Sequence, residues 1–236
     1  MEKPTPIAII GMSFRGPGGA DNPEKLWDLL HEGRNAWTQV PMDRWNEDAH
    51  YHPEVSAKGS NNHKGGHFMN ADPAQFDASF FNIPDAEAYA LDPQQRLMLE
   101  VAYEAFENAG VTIEELKGSK TSVYTATFVR DYELAFFNDS QTIPVGVNLC
   151  VMLHQLILLQ PYTMTGIGTA IIANRISYNF DLRGESYVLD TGCSGTLVAL
   201  HQACQNLRAG DSNMALVGGT NLLLSPLYMS GMSLSR

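Results

Sequence analysis

The apolar positions of this chain follow two rhythms: short continuous runs, and stripes that recur every three or four residues. PIAIIGM (residues 6–12) is a run of the first kind, closed by glycine, and predicts a buried strand. A Gly/Pro loop over residues 15–20 follows. Asn22-Pro23-Glu24 then supplies a cap residue, a proline for the first helical position and an early acid, which together predict a helix start. Leu26, Trp27, Leu29 and Leu30 give that helix its apolar face. Residues 41–80 are rich in His, Asn, Pro and Gly and predict a long excursion with little regular structure.

The clearest helical stripe spans residues 92–109. Asp92 can cap it, Pro93 suits its first turn, and Gln95 completes an arrangement like a capping box. Leu97, Val101, Ala105 and Ala109 lie along one line with Phe106 beside it, and Gly110 ends the helix. Residues 122–128 alternate like a strand, 168–180 have helical spacing, and 186–190 form a further strand. Residues 194–209 predict a helix with Leu197, Val198, Leu200, Cys204 and Leu207 facing inward. Apolar runs at 214–217 and 222–224 flank Gly218-Gly219. Strands alternating with helices imply an α/β layered fold with helices packed on a mostly parallel sheet.

Composition narrows the function. An apolar fraction of 44% with 17% charged residues is ordinary for a globular protein, and disorder is not expected over most of the length. The net charge of −11 leaves no surplus of Lys and Arg for a general nucleic-acid binder or for docking on anionic membranes. Cys150, Cys193 and Cys204 are an odd number of cysteines without metal-like spacing, which fits a reducing compartment. The N-terminus lacks the pattern of a secretory signal, and the most apolar window, residues 145–160, is too short to span a bilayer. A cytoplasmic location is the expectation.

One segment carries candidate chemistry. SYVLDTGCSGTLVALHQACQNL sets Cys193 between a strand and a helix, flanked by Gly192, Ser194 and Gly195. A sharp strand-to-helix turn exposes a nucleophile and aims helix N-terminal amides at it. Such amides favour a thiolate and can donate to the oxyanion formed when an acyl group is attacked. A buried cysteine in a glycine-rich turn is the competing reading of these residues alone.

The wider chain resembles the front part of a ketosynthase domain. PIAIIGMSFRGPGGADNPEKLWDLL resembles the opening of modular and iterative ketosynthases. FDASFFNIPDAEAYALDPQQRLMLEVAYEAFENAG resembles their most recognisable stretch, and TGIGTAIIANRISYNFDLRGESYVLDTGCSGTLVALHQACQNLRAGDSNMALVGGTNLLLSP their nucleophile region. The wording is similar to the highly reducing polyketide synthases of filamentous fungi. The resemblance covers residues 1–236 apart from the segment 145–160 and implies a thiolase-like layered fold, incomplete here, as the first half plus the nucleophile elbow. It implies a catalytic Cys193 that takes an acyl chain from a carrier protein and joins it to malonyl-carrier by decarboxylative condensation. Phosphopantetheine would sit on that partner carrier domain, with no cofactor or metal bound by this chain. A homodimer is implied, with residues 187–189 at its interface.

Departures from the family pattern matter as much. Gly192 stands where the family has Ala, Ser194-Gly195-Thr196 replaces a run of Ser, and Thr125 and Ala126 stand where the family tends to have Gly and Cys. The two histidines that the resemblance assigns to condensation fall beyond Arg236, and none of the seven histidines here matches them. His201 reads as a surface or helix-packing residue. His50, His52, His63 and His67 read as parts of a solvated loop rather than a metal site. The expectation is therefore a truncated acyltransferase of the β-ketoacyl synthase family. The alternative is a catalytically dead remnant that at most binds acyl-carrier protein or a ketosynthase partner. A stand-alone Cys hydrolase is disfavoured, because no matched His–Asp/Glu partner is apparent.

Residues 145–160 interrupt the resemblance. They begin with Val, whose codons start GT, and end with Gln, one of whose codons is CAG. Those are the boundary signals of an intron, so the segment reads as a translated intron. The competing reading is a true apolar insertion, since Leu149, Met152, Leu153, Leu156 and Ile157 have helical spacing.

Overall fold

A computed structural model describes residues 5–54, 56–138 and 162–234; residues 145–160, read above as an intron or an insertion, lie outside them. In chain order the elements are α1 (Pro23–His31), β1 (Thr38–Gln39), a 3-10 turn (Glu47–Ala49), β2 (Gly65–Gly66), α2 (Asp85–Ala90), α3 (Pro93–Asn108), α4 (Ile113–Leu116), β3 (Thr121–Ala126), α5 (Asp131–Asn138), α6 (Thr163–Ile167), α7 (Ile171–Asn179), β4 (Ser186–Leu189), α8 (Gly195–Ala209), β5 (Met214–Gly219) and α9 (Leu227–Leu234). They divide into two compact units.

The first unit carries a parallel sheet of order β4-β3-β5. β3 is central and buried along its whole length, so the expected strand is present but presents no solvent face. Parallel strands need crossovers, and α7 and α8 occupy the segments before and after β4. Val123 of β3 packs with Leu99 of α3 and Ile172 and Ile176 of α7, all buried. Tyr124, pointing to the other face, packs with Ala199 and Ala203 of α8. The sheet is thus covered on both faces, in helix–sheet–helix layers.

α3 begins as expected, with the Asp92 carboxylate accepting from the Gln94 amide at 2.8 Å and Gly110 at φ +69° beyond its C-terminus. Its buried face differs from the predicted stripe. Gln95, Met98, Leu99, Ala102 and Phe106 are buried, while Val101 and Ala105 are half-buried, so the seam is rotated toward the sheet. No capping box forms there. Gln95 turns inward and donates to the carbonyls of Thr165 at 3.0 Å and Gly166 at 2.7 Å.

α8 departs further. The expected inward residues Leu197 and Leu200 are 71% and 40% exposed, and Val198 is also exposed. The buried seam is Gly195, Ala199, Ala203 and Asn206. Small residues let the helix approach β3 closely, and packing distance overrides side-chain hydrophobicity.

Residues 6–12 are not a strand. Both edges of β3 are already taken by β4 and β5, and no ladder reaches residues 6–12 among the described residues. Ile9 and Ile10 are exposed. The segment is instead held on α3, where Met12 N donates to the Asn108 side chain at 3.0 Å and the Ser13 hydroxyl to Glu104 at 2.7 Å.

The second unit contains α1, the short antiparallel β1–β2 pair, α5 and α9. The Asn22 side chain caps α1 by accepting from Lys25 N at 2.8 Å, as its sequence predicts. Its apolar face is only partly used, because Trp27 and Leu30 are exposed and Leu26 and Leu29 half-buried. Residues 41–80 contain little regular structure, matching their composition. Val40, Trp45 and Phe68 form a small core with Leu223 and Met229. Asp131 is buried and accepts from the amides of Leu224 and Ser225, both at 2.9 Å. Among the described residues no helix is long and apolar enough to cross a membrane.

Candidate active site

Cys193 is exposed at the turn between β4 and α8. The turn is built by local hydrogen bonds. Gly192 N donates to the Asp190 carboxylate at 3.1 Å, and Gly195 N donates to Gly192 O at 3.1 Å. The Ser194 hydroxyl donates to Thr191 O at 2.9 Å and pairs with the Thr191 hydroxyl. Gly192 has φ +61°, in the left-handed region, where a side chain costs about 1–2 kcal/mol. The glycine that departs from the family's Ala is therefore the residue this turn favours.

Gly195 opens α8 against β3. A Cβ on Gly195 would lie 2.8 Å from the Ala126 Cβ, far inside ordinary contact. Of the two β3 departures, only Ala126 touches the start of α8. Thr125 points to the opposite face, where its methyl shares the space over Gly218 with Met98. It therefore does not crowd the elbow. One step along β5, a Cβ on Gly219 would collide with the Thr196 hydroxyl, so α8 is seated on two strands at once.

Gln94 supports the strand ends behind this turn, while its buried neighbour Gln95 bonds elsewhere; sequence reasoning gave neither a role. Gln94 and Gln95 are each 1% exposed. Gln94 Oε1 accepts from the Thr127 hydroxyl at 3.2 Å and the Thr220 hydroxyl at 3.4 Å. Gln95 Oε1 accepts from Arg175 Nε at 2.8 Å, and Arg175 pairs with Glu87 at 2.7 Å, both largely buried. Adjacent amides at the start of a helix, directly after Asp-Pro, are the signal that was present in the sequence.

His201 is exposed on α8; His52, His63 and His67 are exposed and His50 half-buried, in the second unit. Among the described residues no three His, Cys, Asp or Glu side chains converge to hold a metal. On the inner face of the sheet the Tyr124 hydroxyl donates to Glu185 at 2.8 Å, and burial pushes its pKa up to about 12, so it titrates far above neutrality.

Comparison with known proteins shows the family and the fold. The family model of the β-ketoacyl synthase N-terminal domain matches residues 4–236. The chain is 53% identical over 234 residues to the highly reducing polyketide synthase sdnO of Sordaria araneosa, covering 99% of the chain and 7% of that protein. It is 46% identical over 230 residues to the lovastatin diketide synthase lovF of Aspergillus terreus, covering 98% of the chain and 8% of that protein. Among solved structures, the oxazolomycin ketosynthase domain OzmH KS7 of Streptomyces albus JA3453 superposes with a TM-score of 0.81 at 33% identity, over 95% of this chain and 36% of that one. The ketosynthase from module 6 of the Bacillus subtilis 168 bacillaene synthase gives 0.80 at 34% identity, over 97% and 34%. The fold is the thiolase-like fold of these domains, and the chain spans about a third of their length.

Proposed function

Because the chain belongs to the β-ketoacyl synthase family, as its N-terminal domain, we propose that Cys193 accepts the growing acyl chain in polyketide biosynthesis. The observation that carries this reading is an exposed thiol at the β4–α8 elbow, beside the N-terminal amides of a fifteen-residue helix. In the acylation step Cys193 Sγ attacks the thioester carbonyl of an acyl-carrier domain. A new carbon–sulfur bond forms, the bond to the phosphopantetheine sulfur breaks, and the carrier leaves as its thiol with the proton that Cys193 gives up. The amides that follow Gly195, whose own N–H is taken by Gly192 O, are the proposed donors to the developing oxyanion. In the whole synthase, loss of CO2 from malonyl-carrier supplies the carbanion that displaces Cys193 and yields a β-ketoacyl product. Phosphopantetheine then belongs to the partner carrier domain. Pairing of two protomers is supported by β4, which is an edge strand of the sheet.

A radiolabelled acyl-loading assay tests the proposal. Stable label on the wild type that is lost in Cys193→Ala is expected. No label, label that survives Cys193→Ala, or rapid turnover to free acid would each overturn it, the last by assigning a hydrolase.

A further inference from the structure

A buried glutamine is an expensive choice, since its amide must give up water and find partners inside. Gln94 finds them at the ends of the strands that carry the elbow. Its Nε2 is 3.4 Å from Asp92 Oδ2, while its Oε1 receives the hydroxyls of Thr127 and Thr220. Those two threonines follow β3 and β5 directly, where the ladder hydrogen bonds run out. Each also donates its backbone N–H across the sheet, Thr127 to Leu189 O at 3.2 Å and Thr220 to Ala126 O at 2.9 Å. Leu189 is the last residue of β4, from which the chain turns into Asp190 and Cys193. Ala126 and Gly219, the last residues of β3 and β5, are the two positions on which Gly195 and Thr196 of α8 are seated. One amide therefore ties the ends of β3 and β5 directly and reaches the end of β4 through the Thr127 backbone.

We propose that Gln94 is a positioning residue for Cys193, fixing the strand ends so that the thiol meets the α8 amides in register. This rests on Cys193 being the acyl acceptor. A displacement of about 1 Å in such a site can cost on the order of 100-fold in rate, so a change that leaves the fold intact can still be read in the chemistry. Gln95 provides the contrast. It is equally buried on the same helix, but its partners are the carbonyls of Thr165 and Gly166 and the Arg175 guanidinium, none of which contacts the elbow turn.

The test uses the full-length protein, with single-turnover acyl transfer from an acyl-N-acetylcysteamine thioester and alkylation of Cys193 by iodoacetamide. Gln94→Met is expected to lower the maximal acylation rate by about 10-fold or more with an unchanged half-saturation concentration, and to change the alkylation rate. Thr127→Val, which removes one hydroxyl and keeps the shape, moves both rates the same way, and Thr127→Ser restores them. Gln95→Met lowers the melting temperature but leaves both rates near wild type. The proposal is overturned if Gln94→Met and Thr127→Val react at wild-type rates, or if Gln95→Met loses as much as Gln94→Met. Should Gln94→Met not fold, the Thr127→Val and Thr127→Ser pair decides. If the wild type takes no acyl group, the acyl-acceptor reading falls, while the alkylation rates still decide the role of Gln94.

Discussion

Replacing Thr125 by Val changes one hydroxyl to a methyl at the centre of the sheet. Thr125 is fully buried in β3, opposite Val188 of β4 and Gly218 of β5. Its hydroxyl finds no hydrogen-bond partner among the described residues. Burying such a group unpaired costs about 1–3 kcal/mol, and valine removes that cost at nearly constant volume. Thr127→Val is the matched opposite, because that hydroxyl donates to Gln94 and its loss leaves a buried acceptor short of a donor. Thr125→Val is therefore expected to stabilise by about 1–3 kcal/mol and Thr127→Val to destabilise by about 1–2 kcal/mol. In a domain of this size each kcal/mol moves the melting midpoint by about 2–4 °C, so the two variants should separate on opposite sides of wild type in a thermal melt. Urea unfolding with an unchanged slope confirms that the change lies in stability. If Thr125→Val falls on the same side as Thr127→Val, the hydroxyl is satisfied and the reasoning about β3 is wrong.

Three further outcomes follow from other positions. Burial raises the Asp131 carboxyl above its ordinary value, against two opposing backbone hydrogen bonds. Its contribution to stability is therefore complete below the ordinary value of 3.8 and lost as pH rises through the higher folded-state value. Asp131→Asn should flatten the fall in melting temperature as pH rises through the carboxyl's folded-state value, and parallel curves for wild type and variant would contradict this. Gly195→Ala should destabilise by about 1–3 kcal/mol through overlap with Ala126, and Ala126→Gly in the same chain should recover most of it, whereas strict additivity would show that the two do not touch. For residues 145–160 we propose a translated intron: transcript reads should skip their codons, and peptides from within the segment in native protein would sink the idea.

How far the sequence could be read depended on whether a signal was local. The caps of α1 and α3, strands β3 and β4 and the elbow at Cys193 are written in adjacent residues, and each appears where expected. The seam of α8 was misread because hydrophobicity points to Leu197 and Leu200. The close approach to β3 instead selects Gly195, Ala199 and Ala203. Residues 6–12 have a strand's composition, yet they join neither the outer edge of β4 nor that of β5 and are held on α3 by side-chain hydrogen bonds instead. Gln94 and Gln95 look like surface residues on a helical wheel. Their partners Thr127, Thr165, Arg175 and Thr220 are distant in sequence, so only the fold reveals that their amides are buried and bonded.

The central claim is that the acyl group is carried by Cys193. Its tryptic peptide, which runs from residue 184 to Arg208, also contains Cys204, a half-buried thiol on α8. Fragmentation of that peptide after acyl loading of the full-length protein is therefore the direct measurement. The added acyl mass is predicted on fragments that contain Cys193 and exclude Cys204. Mass retained on Cys204, or on a peptide elsewhere in the chain, contradicts the account.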